Sequence, residues 1–106
     1  MRLKPPAHLK APGRKFWSDL IREYGISDAA GLTLATTACE CLDRLRAAQA
    51  AVEQHGEVVV DRYGAPKLNP ALSLEKDARN GMLAALRALN LDLEPLRDGP
   101  GRPTGA

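Results

Sequence analysis

Six basic residues, Arg2, Lys4, Lys10, Arg14, Lys15 and Arg22, stand in the first 22 positions against a single acid, Asp19, a local charge of +5. Such a concentration suits phosphate contact, because cationic side chains displace the counterions condensed on a polyanion. The rest of the chain does not share the bias. Residues 23–96 hold seven bases and eleven acids, and the last ten residues two bases and one acid, so the net +2 of the 106 residues conceals the asymmetry. Arg2, Lys4, Lys10, Arg14 and Lys15 are therefore the leading candidates for DNA-phosphate contact, with Arg97 and Arg102 as weaker ones. The competing reading of each is a solvated surface charge.

Other chemistries find little support. Cys39 and Cys41 are two apart in a helical stretch, about 200° around its axis, and cannot easily bridge. They read as small buried or half-buried thiols. His8 and His55 are far from each other and from the cysteines, with no ligand spacing, so no metal site and no cofactor are expected. No glycine-rich phosphate loop and no Ser/His/Asp or Cys/His set occurs. The carboxylate pairs Glu75/Asp77 and Asp92/Glu94 lie on or beside helices, where acidic faces are usually solvated. The chain is not expected to be an enzyme. No apolar run approaches the roughly 18 residues of a membrane span, and the proline-bearing start lacks a signal-peptide core, so a soluble, intracellular protein without membrane contact is expected.

The elements that must position these residues are mainly helical. Residues 1–13, with three prolines and a glycine, read as a flexible basic arm. From Arg14, the residues Phe16, Trp17, Leu20, Ile21 and Tyr24 form one face of a short helix stopped by Gly25, its aromatic pair pinning it to the domain. Ser27 or Asp28 can cap a second helix that runs to about Gln54 and ends at Gly56. Its seam, Ala35, Ala38, Leu42, Leu45, Gln49 and Val52, steps by threes and fours, and Glu40, Asp43, Arg44, Arg46 and Glu53 flank it as a partly solvated face. Asn69-Pro70 opens a third helix with a matching seam, Ala71, Leu74, Ala78, Met82, Ala85 and Leu89. The fold expected is a short N-terminal helix plus an antiparallel helical hairpin, spanning residues 14–91, followed by a flexible Gly/Pro-rich tail over 92–106. Gly81, costly inside a helix, marks a close contact or a bend.

Between the long helices lies GEVVVDRYGAPKLNP. Its valines have strand character, Arg62-Tyr63-Gly64-Ala65 is a turn, and Pro66-Lys67-Leu68 can return, giving a β-hairpin over 57–68. A two-stranded ribbon is weak alone, and with three adjacent valines at least one faces away from whatever the ribbon covers. The pattern favours a ribbon packed on another subunit or joined to a larger sheet over a self-contained decoration. With only 4% aromatic residues the core is small, which also favours association. Leu42, Leu45, Val58, Val60, Met82 and Leu89 are the candidate oligomerisation residues.

The order of these features resembles the small terminase subunit of tailed bacteriophages. The resemblance rests on Lys4-Pro5-Pro6 with His8-Leu9, the Trp of Lys15-Phe16-Trp17, a long alanine-rich helix, Gly56 with Tyr63-Gly64, Asn69-Pro70, and Leu89-Asn90-Leu91 before Pro95 and Arg97. It covers about residues 5–97, and the order and spacing of short motifs carry it. It implies a non-enzymatic, ring-forming homo-oligomer that binds viral double-stranded DNA and regulates the large terminase subunit, which holds the packaging ATPase and nuclease, in the cytoplasm of the bacterial host cell. The helical hairpin and β-hairpin would build the ring. Departures are Asn90, where the family commonly has Gly, and a chain that ends soon after Arg97. The alternative is a helical oligomeric protein-interaction module that binds no DNA.

Overall fold

The computed structural model describes residues 3–91. Its elements are α1 (Ala11–Tyr24), α2 (Ala29–His55), β1 (Val58–Val60), β2 (Pro66–Leu68) and α3 (Ala71–Ala88). The mainly α class, the short first helix and the helical hairpin with a β connection agree with the sequence reading. The expected tail, with Arg97 and Arg102, and Arg2 at the other end lie outside the described residues.

Local chemistry sets most boundaries. Gly25 ends α1 in the left-handed region at φ 62°, its N–H donating to Ile21 O. Of the two candidate caps for α2, Asp28 serves: its carboxylate accepts from Gly31 N at 2.9 Å. Gly56 closes α2 at φ 87°. Asn69 Oδ1 accepts from Ala71 N at 2.9 Å, while its side-chain amide donates to Gly56 O, so one buried Asn starts α3 and ties it to the end of α2. Pro70 already has helical dihedrals, as a first-turn proline should.

α1 and α3 both run antiparallel to α2, on different faces of it. The buried cluster joins Leu9, Trp17, Leu20, Ile26, Ala35 and Cys39, and Phe16, Leu86, Leu89 and Leu91 pack around it. Trp17 is buried with its indole N–H donating to Thr36 Oγ1 at 3.2 Å, which satisfies the one polar atom it takes inside. Gly81 is a close contact and not a bend: a Cβ there would lie 2.9 Å from Cys41 Sγ.

The N-terminal segment differs from its expectation. The first helix begins at Ala11, three residues before Arg14, and the residues ahead of it are packed, not free. Leu9 is only 2% exposed and Pro5 and Pro6 are half-buried. A boundary at residue 13 therefore divides a helix and cuts off a core residue. Lys10, the N-cap, offers no side-chain acceptor, so the only local sign of the helix start is Pro12 in its first turn.

The ribbon pairs Val58 with Leu68, Val59 with Lys67 and Val60 with Pro66. Alternation puts Val58 and Val60 on one face, 58% and 68% exposed, with Leu68 at 70% opposite Val58. Only Val59 is half-buried. Pro66 belongs to β2, and the strand pair closes with Asp61 N donating to Ala65 O at 2.9 Å. Asp61 Oδ1 also accepts from Tyr63 N and Ala65 N, a tight Asx-type turn that presents Tyr63 at 80% exposure.

Candidate nucleic-acid interface

Of the expected basic candidates, Lys10, Arg14 and Lys15 gather where the N-terminal segment meets the middle of α2, but only some are free to reach a partner. Two carboxylates of α2 hold this segment down. Asp43 accepts from Lys10 N and Gly13 N, both at 2.7 Å, and so caps α1 from a distance of thirty residues in sequence. Glu40 Oε2 accepts from His8 Nε2 at 2.7 Å, which assigns the ring proton to that nitrogen. Arg14 completes the strap: its Nη2 donates to Ala7 O at 3.0 Å and Leu9 O at 2.8 Å.

These contacts sort the candidates. Arg14 is engaged in holding the backbone before α1, so its guanidinium is a positioning group. Lys15 is paired with Asp19 at 3.0 Å, and Arg22 bonds the same carboxylate at 2.9 Å. Hydrogen bonds from Lys15 first and Arg22 second hold the Asp19 carboxyl below its ordinary value. Such exposed pairs contribute little stability and yield readily to a stronger anion. Lys4 and Lys10 have exposed side chains, and the Lys10 contact with Asp43 uses only its backbone N–H.

Two cations of α2 join them that the sequence placed on a merely solvated face. Arg44 lines a shallow groove with His8 and Lys10 and with the acids Glu40 and Asp43. Arg46 lines a second groove with Lys15 and donates to Gln49 Oε1 at 2.8 Å. The start of α1 is thus flanked on one side by Lys10 and Arg44 and on the other by Lys15 and Arg46. The signal that could have located this site was the uncapped helix start at Lys10-Ala11-Pro12-Gly13, which requires an acceptor from elsewhere and hence an acid of another helix beneath it.

The oligomerisation candidates divide as well. Leu45 is 4% exposed and buried within the chain itself, which removes it from any surface. Leu42, Met82 and Leu89 are half-buried, with Leu42 and Met82 sharing the groove that holds Lys15. Val58 and Val60 are open. Burial, reinforced by the charges of Asp43 and Glu40, pushes the Cys39 thiol up to about 12, so it is an inert core group.

Against known families, residues 13–94, more than three-quarters of the sequence, match the family described as phage terminase, small subunit. The chain belongs to the phage terminase small subunit family. Membership supports a role in phage DNA packaging. Neither a curated protein nor a solved structure matches the chain. For a terminase small subunit the position of Asn90 is informative. It lies at φ 55°, the left-handed conformation that closes α3, which explains why the resemblance leads one to expect Gly there and why Asn is a tolerable substitute. No described helix is long and apolar enough to cross a membrane.

Proposed function

We propose that this terminase small subunit is a ring-forming homo-oligomer that binds viral double-stranded DNA and regulates the ATPase and nuclease of the large subunit. The observation that carries the DNA half is the collar of cations around the start of α1, Lys10 with Arg44 beside the acids Glu40 and Asp43, which the N-terminal segment already engages, and Lys15 with Arg46 beside Asp19, with Lys4 ahead of it. Each contact is weak, and repetition around a ring turns one collar per subunit into avidity. The exposed apolar ribbon face, Val58, Val60 and Leu68, supports assembly, because such a face is covered in a stable oligomer.

Duplex binding measured against salt tests the DNA half. A phosphate-led site loses affinity with a log–log slope of about 0.9 per phosphate contact, and Lys10→Glu with Arg44→Glu should flatten that slope. Affinity indifferent to salt, or unchanged in the double variant, would exclude the collar. Light scattering tests the ring: Val58→Asp with Val60→Asp should reduce assembly while leaving helix content intact. A ring that ignores DNA would favour the interaction-module alternative, and a monomeric parent would remove the ring.

A further inference from the structure

The ribbon and the helix pair each leave an apolar surface uncovered, and the two differ in shape. On the ribbon, cross-strand partners share a face, so Val58, Val60, Pro66 and Leu68 stand together on one side and Val59 with Lys67 on the other. All four of the first set are exposed, and they make a convex apolar knob. The helix pair carries the concave counterpart, a groove of about 440 Å³ floored by the buried Ala48, Ala71 and Ala78 and walled on one side by Leu74. Alanine in the floor lets α2 and α3 approach closely and leaves space above them. Leu74, whose spacing puts it in the expected seam of α3, is instead 61% exposed.

We infer that the ribbon face of one copy of this chain seats in the α2–α3 groove of the next copy, with Arg62 of the ribbon tip against Asp77 of the groove rim. The inference rests on the ring-forming reading above and names the two surfaces that meet. Both halves of the contact belong to this chain, and a ribbon that leaves its own groove open can cover the groove of a neighbour. Lengths agree: Cys41 and Ala51, at the two ends of the groove on α2, are ten residues or about 15 Å apart, and a three-residue strand is about 10 Å long. Charges agree as well. Cys41 Sγ stands against Gly81, so in antiparallel helices Arg44 and Asp77 lie about one turn further on, a cation and an acid on opposite rims of the groove. The ribbon tip carries the inverse set, Asp61 and Arg62. None of these four forms an ion pair with a described residue, and both turn bonds of Asp61 use Oδ1, so its Oδ2 remains available. Ribbon and groove are different surfaces, so the contact is head-to-tail, the kind that repeats into a closed ring, whereas ribbon against ribbon would stop at a two-fold dimer.

Disulfide trapping between copies of the full chain tests the contact. In a Cys41→Ser background, a Val60→Cys chain is mixed with a Leu74→Cys chain and oxidised, beside a mixture of Val60→Cys with Leu83→Cys, residue 83 being exposed outside the groove. Residues 60, 74 and 83 are all exposed, so truncating them leaves the core intact. A fast 60–74 bond with a much slower 60–83 bond supports the inference. Preferred 60–60 bonds, equal rates in both mixtures, or no 60–74 bond in a parent that assembles would overturn it and leave the ring reading standing. Light scattering separates the other failure, since a parent that is monomeric at every concentration removes the ring reading and this contact with it. Arg62→Asp or Asp77→Arg alone should slow the 60–74 bond and raise the concentration for half-assembly several-fold, and the two on one chain should recover both. No recovery would overturn the pairing of Arg62 with Asp77.

Discussion

Replacing Asp43 by Ala should loosen α1 without touching the α2–α3 hairpin. Asp43 is half-buried and accepts two backbone N–H bonds at 2.7 Å, from Lys10 and Gly13, at a helix start that has no side-chain cap of its own. Losing an N-cap typically costs about 0.5–2 kcal/mol, and hydrogen bonds to a charged acceptor lie at the upper end of the range for net hydrogen-bond contributions. Two such bonds, partly screened by water, give about 2 kcal/mol for Asp43→Ala. Asp43→Asn keeps one acceptor oxygen and should cost about half as much, roughly 1 kcal/mol by the same capping scale. For a domain of this size 2 kcal/mol lowers Tm by about 10 °C. Gly13 provides an internal check, because a Cβ on it would stand 2.6–2.8 Å from the Asp43 carboxylate. Gly13→Ala should therefore displace the cap and destabilise by a similar amount, while adding Gly13→Ala to Asp43→Ala should cost nothing more. The assay is urea unfolding at one fixed protomer concentration, since association would raise apparent stability, with amide exchange to localise the loss to α1. A change within 0.5 kcal/mol for Asp43→Ala, or additive losses for the two sites, would refute the distant-cap argument.

Three further outcomes follow from packing and charge. Gly81→Ala should gain about 1 kcal/mol of helix propensity and lose about 1–3 kcal/mol to the conflict with Cys41 Sγ. In a Cys41→Ala background the conflict vanishes, and a double-mutant cycle by urea unfolding should show coupling of about 1 kcal/mol or more, additivity counting against the close contact. With its thiol raised to about 12, native Cys39 should resist iodoacetamide at pH 8, where about one in ten thousand is thiolate, while Cys41 reacts and denaturation releases the second equivalent. Equal native labelling of both would contradict the buried placement. The Asp19 carboxyl is held below its unfolded value of 3.8, so it binds fewer protons folded than unfolded and its contribution is present above that value and lost as pH falls through the lower folded one. Asp19→Asn should remove that part of the acid dependence, and an unchanged acid limb in stability against pH would sink the assignment.

What the sequence disclosed and what it hid follows from the range of each interaction. Asp28, Gly25 and Asn69-Pro70 act on neighbours within a few residues, and all were readable as caps and stops. The ribbon was readable because turn chemistry at Asp61 to Ala65 is local. The N-terminal strap was not: Leu9 is buried by the assembled fold, and Glu40 and Asp43 reach partners about thirty residues away. On a helix surface they look like any solvated acids. Leu45 shows the same limit in reverse, since seam periodicity marks a face as apolar without saying whether the same chain or another covers it. Of the candidate interface, Lys10 and Lys15 were legible from charge density, whereas Arg44 and Arg46 joined them only through the packing of α1 on α2.

Every broad contact between described elements links consecutive helices or consecutive strands: α1 with α2, β1 with β2, α2 with α3. Such a layout has low contact order, so little loop entropy must be lost before native contacts form, and the helical core should fold in microseconds to milliseconds. It also divides the molecule into units that can open one at a time. α1 can lift away, carrying Leu9 and Trp17 with it, while Asn69 still clamps the other two helices together. In hydrogen exchange the amides of α1 should therefore report a smaller opening free energy than those at the α2–α3 seam.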